Sequence, residues 1–273
     1  MKPSFLVIGA MKAGTTSLHH YLASHPRVFM SSPKELRFFS GENWHRGLGW
    51  YEDHFAGSEG ATAVGETSPA YSQADIFPEA APRIAEVLPG VRLVYLVREP
   101  VARMASMYLH LAAIGRESRP AAEALDGDPV YLNSSRYRWQ IDHHLPLVGR
   151  DRVLVITSED LRDRRRQTLG ATLSFLGIDG DEALDLGREH HPSAPKRRRR
   201  ALSHRLGAHP WYRSASRHLP EPVRRLTRRV TTRALEVPTL PPELVADLHR
   251  RLAPDVAALR ELMPKGWDGW GIA

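Results

Sequence analysis

Lys12 stands inside a short run, Gly9-Ala-Met-Lys12-Ala13-Gly14-Thr15-Thr16-Ser17, that combines two glycines, one cation and three hydroxyls. A strand that ends in such a loop and feeds a helix presents several backbone N–H groups, and those donors with the helix dipole favour an anion. The common nucleotide loop, G-x-x-x-x-G-K-[ST], places its lysine directly after the second glycine. Gly9 and Gly14 keep that glycine spacing, but Thr15 follows Gly14 and the lysine lies two positions before it. ATP with magnesium is therefore not the natural reading, although a P-loop nucleotide kinase stays open as an alternative, as does a plain connecting turn. A second group lies at Arg98 and Ser106. An arginine at the carboxyl end of a strand can grip a phosphate by its fork, and a serine two turns into the next helix adds a hydroxyl. Alone, Arg98 fits a rim salt bridge to Glu99 or Glu66 equally well. The fourteen histidines are candidate general bases. Most are read as surface or loop residues, His19 and His20 lying on the first helix. The adjacent pairs His143-His144 and His190-His191 cannot share a helix face, which argues against a two-histidine metal site.

The elements that must carry these groups alternate. Phe5 to Ala10 and Val153 to Ile156 read as short buried strands, and Val91 to Val97 is the clearest strand. Val28 to Met30 is a further short one. Helices are expected from Thr15 to His25-Pro26, from Glu99-Pro100 onward, from Asn133 to about Val148, and from Glu159 to Leu176 with Gly177 as cap. Strands alternating with helices predict an α/β fold, three layers with a central parallel sheet flanked by helices. After about Asp179 the apolar periodicity weakens. Pro220 to Leu235 reads as a short basic amphipathic helix, and a last helix runs from about Pro242 to Met263. The chain is read as one domain over 1–273: a core to about 178, a basic segment at 179–238 and the C-terminal helix at 239–273.

Composition narrows the classes. The chain of 273 residues is 42% hydrophobic, enough for a sizeable core. It has no cysteine, so disulfides, thiolate metal sites and cysteine nucleophiles are excluded. No apolar run approaches a membrane span, the apolar start is short and broken by Lys12, and a cytoplasmic protein is the expectation. The net charge of +7 is uneven: residues 196–233 hold thirteen Lys or Arg against one acid, Glu221, so the remainder is net acidic. Nucleic-acid binding is the rival from another class, but these basic residues lie outside the other motifs.

Three stretches, "GAMKAGTTSL", "SPKELRFF" and "LVREPVARMASMY", together resemble the sulfotransferases that use 3′-phosphoadenosine 5′-phosphosulfate (PAPS), most of all the heparan-sulfate type and its bacterial relatives. The resemblance runs from Phe5 to about Leu176. It implies that Lys12, Ala13, Gly14, Thr15, Thr16 and Ser17 hold the 5′-phosphosulfate, and that Arg98 and Ser106 hold the 3′-phosphate. It makes Glu35 the base. His45, just after that motif, is the rival. Burial beside Phe38 and Phe39 would raise the Glu35 pKa, and Lys34 or Arg37 would lower it. "GETSPAY" resembles a segment beside the acceptor cleft that often carries a lysine where this chain has Thr67. "NSSRYRWQIDHHL" implies that Tyr137 lies near the cofactor, and "SAPKRRRRAL" implies that Lys196 and Arg197 close over its phosphates. The implied reaction is in-line displacement at sulfur. Lys12 supplies a cation at the departing oxygens, and no metal is required. The acceptor is expected to be a hydroxyl, ahead of an amine, on a glycan, glycolipid or secondary metabolite. The segment 196–233 can close over the cofactor, attract an anionic or membrane-bound acceptor, or remain a solvated arm.

Overall fold

The computed structural model describes residues 1–179, 197–199, 232–234 and 236–272. Five parallel strands form one sheet in the order β2-β3-β1-β4-β5: β1 (Phe5–Gly9), β2 (Val28–Met30), β3 (Ala63–Thr67), β4 (Arg92–Val97) and β5 (Val153–Thr157). Every residue of β1 and β3 is buried, as a sheet covered on both faces requires. The helices are α1 (Thr15–Ala23), α2 (Gly47–Asp53), α3 (Ala80–Val87), α4 (Pro100–Ala113), α5 (Ala121–Gly127), α6 (Pro129–Asn133), α7 (Tyr137–Asp142), α8 (Leu145–Val148), α9 (Ser158–Asp163), α10 (Arg165–Phe175) and, after a gap in the described residues, α11 (Pro242–Leu259). The expected α/β architecture with a central parallel sheet is the one found. β1 lies between β3 and β4, so the strand order reverses around its carboxyl end. Open parallel sheets bind ligands at such a switch point.

Three expected elements differ. β3 was not read from the sequence, because "AVGET" carries polar residues at buried positions. The expected helix from Asn133 to about Val148 is two pieces, α7 and α8, and α6 ends at Asn133 where that helix was to begin. Ser135 is fully buried there. Its hydroxyl accepts from Arg103 Nε at 2.6 Å and donates to the Pro100 carbonyl at 3.2 Å, a tertiary role that outweighs its capping propensity. Pro146 opens a new short helix after the break at His143-His144. The helix from Glu159 is also interrupted, with Arg164 at φ −125° between α9 and α10. Gly177, at φ +82°, is the left-handed cap expected.

Two further strands, β6 (Arg197–Arg199) and β7 (Thr232–Ala234), pair antiparallel, with β6 alongside α4. The end of the basic helix expected over 220–235 is thus strand β7, and residues 220–231 lie outside the described residues. α11 packs on α4, α5 and α7, and its Asp255 accepts from the Arg138 and Trp139 amides of α7 at 3.0 and 2.9 Å. None of the helices among the described residues is long and apolar enough to cross a membrane.

Candidate active site

The carboxyl ends of β1, β3, β4 and β5 bring the chemistry-bearing residues to one edge of the sheet. From β1 the chain turns into the loop 10–14. The Ala10 amide donates to the Leu96 carbonyl on β4 at 2.5 Å, and the Ala13 amide to the Ala10 carbonyl at 3.1 Å, which curls the loop back over the strand end. Lys12 at φ +73° and Gly14 at φ +102° both take left-handed backbone, the conformation in which successive N–H groups converge. Gly14 caps α1 without any side-chain hydrogen bond, so the first amides of that helix are not closed by a cap. A Cβ on Gly14 would make only ordinary contact with Ser158 and Leu96, and the glycine is required by its φ rather than by space. Thr15 is buried, Thr16 exposed, and Lys12 and Ser17 half-buried. A strand end, a left-handed loop and an uncapped helix start with a lysine beside them suit an anionic group.

Arg98 follows β4. The two salt bridges that rivalled its binding role do not form. Glu99 instead caps α4, accepting from the Val101 and Ala102 amides at 3.0 and 2.6 Å, and meets His249 at 3.1 Å. Glu66 is fully buried among hydroxyl donors. Among the described residues Arg98 makes no ion pair. Ser106 lies two turns along α4, half-buried.

Glu35 is half-buried and sits between two cations, with Lys34 Nζ at 2.6 Å from Oε1 and an Arg37 guanidinium nitrogen at 3.1 Å from Oε2. Burial pushes its carboxyl up, but Lys34 and then Arg37 together hold it below the usual carboxylate range. The cations therefore win the contest that the sequence left open. Glu35 is itself at φ +65°, and its amide donates to the Thr67 carbonyl at the end of β3 at 3.0 Å.

A family model for the sulfotransferase domain matches residues 2–206. The chain belongs to this sulfotransferase-domain family. The bifunctional heparan sulfate N-deacetylase/N-sulfotransferase 2 of Bos taurus is 28% identical over 202 residues, covering 64% of this chain and 22% of that protein. Its Homo sapiens counterpart is 33% identical over 200 residues, with the same coverage of 64% and 22%. The chain thus spans about a fifth of the length of these curated relatives. A solved sulfotransferase from Alicyclobacillus acidocaldarius shares the fold, with a TM-score of 0.71 at 24% identity over 99% of both chains.

Two residues read only loosely from the sequence join the site. His19, read from the sequence only as lying on the first helix, is 7% exposed, and its Nδ1 lies 3.1 Å from Thr67 Oγ1. Burial, reinforced by Lys34 and His20, pushes its imidazole down to about 4 and keeps it neutral. It lies four residues after Thr15 and three before Leu22, on the buried face of α1, which is the signal that was available. Tyr137 is fully buried, and its hydroxyl donates to the Arg98 carbonyl at 2.7 Å, so it braces the strand end that presents Arg98. His45 is exposed on the short turn Trp44–Arg46. Lys196 lies outside the described residues. Arg197 lies in β6, which runs beside the helix that carries Ser106. Among the described residues no group of three or more His, Asp or Glu could hold a metal ion.

Proposed function

We propose that this sulfotransferase moves a sulfuryl group from PAPS to a nucleophile on a glycan, glycolipid or small metabolite. The carrying observation is the pair of anion-ready positions at one sheet edge: the loop from Lys12 to Ser17 at the end of β1, and Arg98 with Ser106 at β4 and α4, with no acid neutralising Arg98 among the described residues. Two such positions suit a donor with a phosphosulfate at one end and a 3′-phosphate at the other. In the reaction the acceptor atom bonds to sulfur as the bond from sulfur to the bridging phosphate oxygen breaks, and the nucleotide leaves as the 3′,5′-bisphosphate. The Lys12 ammonium stabilises charge on that leaving oxygen. Glu35 takes the acceptor's proton.

Two observations favour an amine over the hydroxyl expected from the sequence. The relatives bear the name N-sulfotransferase. Lys34 and Arg37 also make Glu35 a weak base. A neutral amine is nucleophilic before it loses a proton and asks little of that base, whereas a neutral hydroxyl is a poor nucleophile and asks more. Incubation with PAPS and paired glucosamine-type oligosaccharides, one with free amines and one N-acetylated, tests both parts. Transfer to the free amine supports the reading, transfer to both acceptors restores the hydroxyl, and transfer to neither with any acceptor class refutes the donor assignment. Lys12→Ala should lower kcat by about a hundredfold or more and change donor affinity much less.

A further inference from the structure

Glu66 is a carboxylate with no exposed surface, and no cation faces it among the described residues. Burying an isolated anion is costly, and an apolar residue would serve stability better unless the charge has a task. Its oxygens are saturated by neutral donors. Tyr51 donates to Oε2 at 2.8 Å, while Ser68 and Tyr71 donate to Oε1 at 2.5 and 2.8 Å. The Leu36 amide donates to it as well.

That last bond is one of a series. Five successive amides of the loop carrying Glu35 all end on the segment 66–71. The Glu35 amide reaches the Thr67 carbonyl at 3.0 Å, and the Leu36 amide reaches Glu66. The Arg37 amide reaches Ser68 Oγ at 3.2 Å, and the Phe38 and Phe39 amides reach the Tyr71 hydroxyl at 3.0 and 3.4 Å. Ser68 and Tyr71 accept from the loop with the same oxygens whose protons they give to Glu66. The carboxylate thus fixes the direction of both hydroxyls, so that their lone pairs face the loop. Glu35 and Arg37, at φ +65° and +51°, hold left-handed backbone that non-glycine residues adopt only under strain. Such strain persists only where the surroundings over-determine it.

We propose that Glu66, acting through Ser68 and Tyr71, is the positioning group of the catalytic loop: its buried carboxylate orients two hydroxyls that hold the strained backbone aiming Glu35 at the acceptor. The inference rests on Glu35 being the base. Burial pushes the Glu66 carboxyl up, against the pull of the Ser68, Tyr51, Tyr71 and Leu36 donors.

Two conservative variants separate positioning from general packing. Tyr51→Phe and Tyr71→Phe each remove one hydroxyl bonded to Glu66 at 2.8 Å from a fully buried ring. Only Tyr71 also holds loop amides. The expected result is a kcat about tenfold or more lower in Tyr71→Phe, with donor KM and bisphosphate affinity within about twofold, while Tyr51→Phe stays within about threefold of wild type. Amide hydrogen exchange over residues 35–39 should rise about tenfold in Tyr71→Phe alone. Should Tyr71→Phe not fold, Ser68→Ala, which frees the Arg37 amide, carries the same expectation. Equal losses in both tyrosine variants, or unchanged exchange over 35–39, would overturn the proposal. The exchange readout needs no turnover, so a protein that transfers no sulfuryl group would refute the assigned reaction while exchange still decides the positioning role.

Discussion

Replacing His19 with Gln gives a sharp test of the electrostatics at the base of the site. His19 is buried against Thr67, and its imidazole is depressed to about 4 in the folded chain. In the unfolded chain it titrates near 6.5. Between those values the unfolded chain binds the extra proton, so stability is full above about pH 6.5, falls as pH drops through that value, and stops falling below about 4. At pH 5 the expected loss relative to pH 8 is roughly 2 kcal/mol from this one residue. His144, also near 4, adds a similar loss, while Glu66 and Asp255, both raised by burial, oppose it. The variant cancels those terms, because they are common to both proteins. A glutamine amide can still meet the Thr67 hydroxyl but does not titrate. Urea unfolding of both proteins at pH 8 and pH 5 yields the stability difference at each pH. The advantage of wild type over His19→Gln should shrink by about 2 kcal/mol on acidification. Parallel pH dependences would show that His19 is protonated in the folded protein, and the neutral imidazole beside Lys34 and Glu35 would be wrong.

Glu35→Gln should reduce transfer by a factor of about a hundred to ten thousand with bisphosphate affinity kept within about twofold, measured by turnover and calorimetry. In wild type the acid limb of kcat/KM assigned to Glu35 should lie below the ordinary value of about 4.3, because Lys34 and Arg37 hold the carboxylate ionised. Gly65→Ala places a Cβ 2.1 Å from the Phe5 ring, which is fully buried, and should cost about 1–3 kcal/mol or more and several degrees in Tm. Gly127→Ala, with nothing within 4 Å of its Cβ, should leave Tm unchanged or slightly higher in the same thermal scan.

The parts of the fold legible in the sequence are those where apolar period and punctuation agree. β1, β4 and β5 are continuous apolar runs, and α4 starts at a proline behind a capping glutamate. The candidate loop and Arg98 were legible because a binding strand end needs recognisable residue types at fixed spacing. β3 was not, because its polar residues are satisfied by partners that the strand itself does not hold: Thr67 by His19, and Glu66 by Tyr51, Ser68 and Tyr71. Ser135 hid its role for the same reason, its partner being Arg103 at 2.6 Å. His19 was placed on the first helix, but its spacing from Thr15 and Leu22 on the buried face of α1 was not used. Lys34 and Arg37 were legible as partners of Glu35, but not the left-handed backbone at Glu35, which no local rule anticipates.

The central claim is that two anion sites, at the loop of Lys12 and at Arg98, hold one nucleotide. Calorimetry with 3′-phosphoadenosine 5′-phosphate against ADP, on wild type and Arg98→Glu, tests it without any acceptor. The account predicts micromolar binding of the bisphosphate to wild type and much weaker binding of ADP. In Arg98→Glu the bisphosphate should lose about 10–100-fold or more, while ADP changes little. Equal affinity for the two nucleotides, or a bisphosphate affinity unmoved by the charge reversal, would contradict it.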